Sequence, residues 1–251
     1  MTRTIDLNCD LGEDPAAIAR DEQLAGIVTS LNIACGGHAG DERTMAHFTQ
    51  LAAKLGRSPG AHPSYPDRAN FGRAEIAIAP AALGSSLREQ LAALTRAAAG
   101  VPITHVKPHG ALYHAAAHCR DTAEMLARAV RDTCPHAAIV GPAGSPALDW
   151  WRAFGLAVIP EAFADRRYLS DGRLAPRTDP DAVLPAAEAA QQALDIATGR
   201  GPLTRDGIRI PLHAATLCIH SDTPGACDIA RLVRDTLENH AIRVASPVSS
   251  P

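Results

Sequence analysis

The stretch from His105 to His114 contains one lysine, three histidines and one tyrosine among ten residues. Pro108 restricts Lys107 to an extended conformation, and Gly110 permits a tight turn before helix-compatible residues resume. The pattern therefore predicts a strand, a sharp turn and a helix, with Lys107 and His109 at the carboxyl end of the strand. Ligands bind at that end of the sheet in α/β proteins.

Lys107 is an unusual cation for this chain, because only Lys54 and Lys107 among its 24 lysines and arginines are lysines. An ammonium group is compact and can lose its proton when it is desolvated. It therefore suits a site that needs a point charge or a base. The alternative is a structural lysine that pairs with an interior carboxylate.

Acidic and amide side chains mark the first predicted strand, Thr4 to Cys9, and its end. Asp6, Asn8 and Asp10 would face one side, because side chains alternate across a strand. Carboxylates inside a barrel are costly unless they are paired or bind a ligand. The alternative is a solvated acidic loop, which could account for Glu13 and Asp14 but less easily for Asp6 and Asp10.

Six of the eleven histidines lie in or next to predicted strand-end turns: His38, His62, His105, His109, His114 and His220. Asp10, His38 and His62 could supply a divalent metal with a ligand set that polarises a carbonyl or activates water. Without a metal, a carboxylate with His109 or His220 could serve as general base toward water. Asp41 is expected to cap the helix that follows it.

Three arginines follow a predicted strand at Leu156 to Pro160. Arg166, Arg167 and Arg177 could clamp an anionic substrate through bidentate hydrogen bonds. Alternatively Glu161, Asp165 and Asp171 satisfy them, which is the preferred interpretation for Arg167. The residues assigned to substrate binding are Asn8, Arg166, Arg177, His220 and Asp222.

Composition excludes several classes of protein. The net charge is −3 and no basic run occurs, which argues against nucleic acid as a partner. No apolar signal region or apolar stretch of about 18 residues is present, so no membrane partner is expected and the cytoplasm is the expected location. The six cysteines form no C-x-x-C pair, and we expect them to be free thiols.

Seven predicted strands, each followed by a helix or by a loop and a helix, favour a parallel (β/α) barrel in a single domain of residues 1–251. Apolar residues make up 46% of the chain and aromatic residues only 4%, so Ala, Leu, Ile and Val must build the core. Residues Ile208 to Ile210 are predicted to form a hairpin with the last strand, Ala215 to Ile219. The Ser/Pro-rich tail, residues 246–251, is expected to be frayed.

Six motifs, spread over nearly the whole chain, resemble the LamB/YcsF family of 5-oxoprolinase A subunits. They are Asp6 to Glu13, Asn32 to Asp41, Gly60 to Pro63, Val106 to Tyr113, Glu161 to Arg166 and Cys218 to His220. The resemblance implies a seven-stranded or distorted TIM-like barrel of the glycoside hydrolase/deacetylase type. It also implies ATP-dependent opening of the lactam 5-oxoproline to L-glutamate, together with B and C subunits. Neither lysine lies in a G-K-[ST] loop, which agrees with ATP being used with those partners.

The resulting hypothesis assigns a role to each candidate. Lys107 holds or polarises the substrate, His109 and Asp10 handle protons, and His38 and His62 bind a metal or the developing oxyanion. Two rivals stay open: a stand-alone metal-dependent deacetylase that acts without ATP, and a non-catalytic subunit that binds the lactam.

Overall fold

The structure is a computed structural model that describes residues 3–248. Seven parallel strands form a closed barrel, because β1 pairs with both β2 and β7, which confirms the predicted architecture. The strands are β1 (Thr4–Leu11), β2 (Ser30–Ala34), β3 (Ser58–His62), β4 (His105–Val106), β5 (Ala138–Pro142), β6 (Val158–Phe163) and β7 (Thr216–Cys218). A short β8 (Arg243–Val244) pairs with the beginning of β1.

Helices surround this barrel. Within residues 3–248 they are α1 (Ile18–Ile27), α2 (Glu42–Leu55), α3 (Pro80–Ala97), α4 (Gly110–His118), α5 (Arg120–Thr133), α6 (Ala147–Ala153), α7 (Ala186–Ala197) and α8 (Ala226–Asn239). Asp41 caps α2 as predicted, since its carboxylate accepts from the Thr44 backbone N–H at 2.8 Å. In the described part of the chain, the helices lack the combined length and hydropathy of a bilayer-spanning segment.

The main core lies between the barrel and the helices, and aliphatic side chains dominate it. Alternation along each strand produces this arrangement. On β1, for example, Leu7 and Leu11 face outward and are fully buried under the helices, whereas Asp6, Asn8 and Asp10 face the barrel axis. The barrel interior is therefore the polar part of the molecule.

A small apolar cluster lies inside the barrel, formed by Ala138, Val140 and Ile159 with Val248 packed against them. Val248 belongs to the segment that was expected to fray. Its carbonyl accepts from the Ser58 hydroxyl at 3.3 Å. Residues 249–251 of that segment lie outside the described residues.

The predicted hairpin at Ile208 to Ile210 is wrong. Arg209 instead forms an antiparallel bridge with Leu203, while β7 pairs in parallel with β1 and β6. Because β7 has a strand on each side, it offers no free edge to a hairpin partner. Glu161 follows the predicted strand Leu156 to Pro160, but it lies within β6 because this strand extends to Phe163.

Substitution of Gly60 on β3 tests how tightly the barrel interior is packed. A Cβ atom there would overlap the imidazole of His105, so Gly60→Ala should lower the free energy of unfolding by about 1–3 kcal/mol. Gly84 on α3 is the matched control, since its added Cβ meets neighbours no closer than 3.6 Å. Gly84→Ala should stabilise the protein by about 0.5–1 kcal/mol. Urea unfolding compares both variants, and equal stabilities would contradict this packing.

Candidate active site

A cavity of about 940 Å³ opens at the carboxyl ends of the strands. Side chains from or just after five strands reach it: Asp10 from β1, His62 from β3, Lys107 and His109 after β4, Glu161 from β6, and His220 after β7. The two loops that follow β3 and β6 contribute its outer wall, including Arg73 and Arg177. The strand ends therefore converge on one pocket, as the sequence patterns predicted.

Lys107 occupies the base of this cavity and is only 3% exposed. Its Nζ donates to Asp10 Oδ1 at 3.0 Å and to Asn8 Oδ1 at 3.2 Å, and it pairs with Glu161 Oε1 at 3.0 Å. A fourth neighbour, Cys218 Sγ, lies 3.1 Å away. These contacts define the lysine network: Lys107, Asp10, Asn8, Glu161 and Cys218.

The lysine network holds Lys107 as an ammonium. Burial alone would lower the pKa of Lys107, but Asp10 and the other acidic neighbours raise this pKa well above its ordinary value. Lys107 therefore supplies a fixed positive charge and does not act as a base. Lys107 pairs with interior carboxylates, as expected for a structural lysine. It also lines the cavity, as expected for a lysine of a functional site.

Asp10 is the ionised partner of Lys107. Burial raises the pKa of this carboxyl, but His62 and Lys107 together bring it well below its ordinary value. Asn32 Nδ2 also donates to Asp10 Oδ1 at 2.8 Å, while Oδ2 faces His62 Nε2 at 3.5 Å. Asp10 thus links the lysine network to the histidines beside it.

Asn8 and Tyr113 position Glu161. Asn8 Nδ2 donates to Glu161 Oε1 at 2.9 Å, and the Tyr113 hydroxyl donates to Glu161 Oε2 at 2.6 Å. Asn8 Nδ2 also contacts the Thr216 hydroxyl at 2.7 Å. Asn8 was assigned to substrate binding from the sequence. In the structure its amide contacts Glu161 and Thr216 and orients these protein groups.

A second group of side chains lies beside the lysine network, and we call Glu13, His38, His62 and His109 the histidine cluster. Glu13 Oε1 lies 2.9 Å from His38 Nε2, 3.2 Å from His109 Nδ1 and 3.6 Å from His62 Nε2. One ligand atom from each residue lies within 4.8 Å of all the others, so the cluster could hold a metal ion. It contains His38 and His62 of the predicted metal set, and Asp10 adjoins it.

The alternative of a solvated loop is wrong for Glu13, because the Glu13 side chain is only 8% exposed. β1 continues to Leu11, and Gly12 then adopts a φ of 73°, a conformation that favours glycine. This turn places Glu13 over the barrel end among the histidines. The contacts of Glu13 with the ring nitrogens of His109 and His38 outweigh burial and bring the pKa of Glu13 well below its usual range.

The three histidines of the cluster differ in their pKa values. Burial lowers the pKa of His38 to about 4 and also lowers that of His109, which favours neutral imidazoles near pH 7. At His62, burial acts in the same direction, but the Asp10 carboxylate raises the pKa overall. The rings of His38 and His109 are stacked, with centroids 3.7 Å apart.

The remaining candidates lie around the cavity wall. His220 Nδ1 pairs with the buried Asp165 at 3.1 Å. Asp222 pairs with two arginines, Arg73 at 2.6 Å and Arg177 at 2.8 Å. Two arginines thus share one carboxylate at the outer wall, which leaves excess positive charge there.

Arg166 and Arg167 have different surroundings. Arg166 Nη2 donates to the Ala175 carbonyl at 2.6 Å, which ties this guanidinium to the backbone. Arg167 is satisfied by carboxylates as preferred from the sequence, but they belong to Asp181 and Glu188 at 3.5 and 3.1 Å. The predicted partners were wrong because the chain after β6 folds back and brings these later residues to Arg167.

A closed parallel barrel with a polar, titratable pocket at its carboxyl ends defines a TIM-like barrel with a small-molecule site. The sequence profile of the LamB/YcsF family matches residues 5–250, and the chain belongs to that family. The chain is 48% identical to the 5-oxoprolinase A subunit of Methylococcus capsulatus, over 98% of this chain and 96% of the relative.

Two solved structures resemble the fold. The crystal structure of a lactam utilization protein from Thermus thermophilus has a TM-score of 0.89 and 38% identity, and the match covers 97% of this chain and 99% of the other. A mutant of BA3943, described as a CE4 family pseudoenzyme with restored enzymatic activity, has a TM-score of 0.51 and 10% identity. That match covers 98% of this chain and 66% of the other, and it shows the fold alone.

His105 on β4 gives a pH-dependent prediction. Burial, with further contributions from Lys107 and His62, lowers its pKa from 6.5 to about 3. Below pH 6.5 the unfolded chain therefore binds a proton that the folded chain does not, and the free energy of unfolding falls. Between pH 7 and pH 5 this loss is about 2 kcal/mol, because one pKa unit corresponds to about 1.36 kcal/mol.

His105→Gln removes this titration, so its destabilising effect should be about 2 kcal/mol smaller at pH 5 than at pH 7. Urea unfolding at both pH values measures the difference. The same substitution at the exposed His47, which pairs with Glu22 at 2.9 Å, is the matched control. An equal effect of His105→Gln at the two pH values would refute the buried neutral state.

Proposed function

We propose that this chain is the A subunit of an ATP-dependent 5-oxoprolinase, which hydrolyses the lactam amide of 5-oxoproline to L-glutamate together with B and C subunits. The lysine network at the base of the cavity carries this proposal, because it offers a fixed positive charge beside neutral histidines. The name of the Methylococcus capsulatus relative supports the substrate. We also propose a cytoplasmic location for the complex, where ATP is supplied.

Lys107 suits stabilisation of the developing oxyanion. Amide hydrolysis places negative charge on the carbonyl oxygen, and preorganised donors stabilise it without reorganisation during the reaction. Asp10 and Glu161 fix the ammonium in place, each at 3.0 Å. A lactam carbonyl at the base of the cavity would therefore meet a positive charge that already has its orientation, and it would accept from Lys107 by displacing one of the present contacts, of which Asn8 Oδ1 at 3.2 Å is the longest.

His109 suits proton transfer. It lines the cavity, and its low pKa favours the neutral imidazole, which can accept a proton from water. Water then adds its oxygen to the carbonyl carbon, and the ring C–N bond breaks as His109 returns the proton to the lactam nitrogen. Asp10 remains ionised and orients His62 and Lys107. If the histidine cluster instead holds a divalent metal, His109 would be one of its ligands, and the metal would activate the water or polarise the carbonyl in place of a free imidazole.

The outer wall of the cavity carries positive charge that could bind the carboxylate of the substrate. Arg73 and Arg177 share Asp222, so their guanidinium groups retain positive charge for the carboxylate of 5-oxoproline. Arg166 and His220 also line the cavity. The cavity of about 940 Å³ exceeds the space that a small lactam needs. The additional space could take a phosphoryl group, if ATP activates the lactam on the partner subunits by transferring one to the carbonyl oxygen, and this group would then leave as inorganic phosphate once water has added to the carbonyl carbon.

Replacing Lys107 tests the proposal in the reconstituted complex with B and C subunits. Lys107→Ala removes the oxyanion partner, and ATP-coupled glutamate formation should fall at least about 100-fold, by comparison with the loss of an oxyanion-hole donor. Lys107→Arg should also lose activity, because a planar guanidinium cannot reproduce the contacts of a compact ammonium. Turnover is followed by glutamate release.

Lys54→Ala is the matched control, since Lys54 is the other lysine and lies exposed at the end of α2. It should leave turnover unchanged. Circular dichroism checks that the Lys107 variants fold, since Asp10 and Glu161 lose their buried partner. Full turnover by Lys107→Ala would reject the role of Lys107. Hydrolysis of N-acetyl sugars by the isolated chain without ATP would favour a deacetylase instead.

A further inference from the structure

We propose that the histidine cluster is a metal site in which Glu13, His38, His62 and His109 bind one divalent cation of the Zn²⁺ type. Three imidazole nitrogens and one carboxylate oxygen suit this class of ion. The proposal replaces Asp10 of the sequence-based set with Glu13 and adds His109. It does not depend on the reaction that the pocket catalyses.

The ring orientations of His62 and His109 carry the argument. His62 Nδ1 lies 2.7 Å from the Lys107 carbonyl, and His109 Nε2 lies 3.0 Å from the Phe71 carbonyl. A carbonyl oxygen only accepts hydrogen bonds, so each of these ring nitrogens carries a hydrogen. In a neutral imidazole the other nitrogen is then a lone-pair acceptor.

The remaining nitrogens of these two rings face each other. His62 Nε2 lies 3.0 Å from His109 Nδ1, so either a proton on one of the two nitrogens or a metal ion in contact with both must hold this pair together. Glu13 Oε1, also an acceptor, lies 3.2 Å from His109 Nδ1 and 3.6 Å from His62 Nε2. These three polar atoms thus converge on one point, and a divalent cation in contact with all of them would take the place of a shared proton.

The spacing of the donor atoms fits an ion. Bonds of about 2.0–2.1 Å to a tetrahedral Zn²⁺ place neighbouring ligand atoms about 3.3 Å apart. The three contacts of Glu13 Oε1 with the histidine nitrogens range from 2.9 Å, to His38 Nε2, to 3.6 Å, to His62 Nε2, and all four ligand atoms lie within 4.8 Å of one another. The carbonyls of Lys107 and Phe71 act as outer partners that orient ligating rings, as is usual for histidine ligands.

A neighbouring group also has metal-binding residue types, namely Asp10, Cys218 and His220. Its surroundings disfavour a cation. The Lys107 ammonium contacts both Cys218 Sγ at 3.1 Å and Asp10 Oδ1 at 3.0 Å, so it already supplies positive charge and would repel a second cation. The histidine cluster is therefore the favoured site.

Titration of the chelator-treated full chain with Zn²⁺ by calorimetry tests the site without lactam, ATP or partners. One ion per chain should bind. Glu13→Gln and His38→Gln should each weaken binding at least about tenfold, which is the lower end of the loss found when outer partners of a metal site are removed. His47→Gln should bind like the wild type, because His47 belongs to an exposed histidine–glutamate pair.

Co²⁺ absorption of the wild type provides a second readout that needs no variant to fold. Four-coordinate visible bands without a thiolate charge-transfer band would support the nitrogen and oxygen donor set. A thiolate band that disappears in Cys218→Ser would assign the ion to the neighbouring group and overturn the proposal. Absence of Zn²⁺ binding, or equal binding by wild type, Glu13→Gln and His38→Gln, would also overturn it, and a shared proton would then occupy the cluster.

Discussion

The buried charge of Lys107 is the constraint on which the barrel interior depends. Taking an ammonium out of water costs several kcal/mol unless partners of opposite charge and good geometry surround it. Here the partners come from three other strands: Asp10 from β1, Glu161 from β6 and Cys218 from β7. The lysine network therefore couples the positions of four strands, and a shift of any one would leave a carboxylate or the ammonium without a partner.

This constraint explains why the interior differs from the usual filling of branched aliphatic residues in TIM-type barrels. Below the lysine network, Asn32 donates to Asn8 and lies 2.8 Å from His105 Nε2, so amides and a neutral imidazole form the next layer. Deeper still, burial raises the pKa of Asp6 to about 6 although three hydroxyl groups donate to it. Neutral polar groups thus separate Asp6 from the charges above it.

The sequence predicted the parts of the site that local chemistry determines. Pro108 and Gly110 indicate the strand end that presents Lys107 and His109, and alternation along β1 indicates that Asn8 and Asp10 share a face. Glu13 could not be placed in this way, because its position depends on a glycine turn and on histidines from three other elements. Cys218 was expected only to be a free thiol, and nothing in its residue type indicates that it lies at the end of β7 in contact with Lys107.

The errors in the fold prediction have the same origin. Residues Ile208 to Ile210 have the composition of a strand, and nothing within that stretch reveals that β1 and β6 already occupy both edges of β7. The predicted strand stops at Pro160, before Glu161, and a buried strand tolerates a charge such as Glu161 only when it has a partner. Lys107 provides that partner from a residue 54 positions earlier in the chain, and a pairing across that separation has no local pattern.

The lysine network and the histidine cluster share one backbone segment at the end of β4. Lys107 directs its ammonium to Asp10, while its carbonyl lies 2.7 Å from His62 Nδ1 and fixes that ring. The backbone N–H of His109 donates to the Pro63 carbonyl at 2.8 Å, which holds the next turn against the end of β3. Because the Lys107 carbonyl remains when its side chain is replaced, loss of the charge and loss of the histidine orientation are separable. The pocket therefore contains two chemical functions that one short turn aligns, and the proline within that turn limits how far they can move apart.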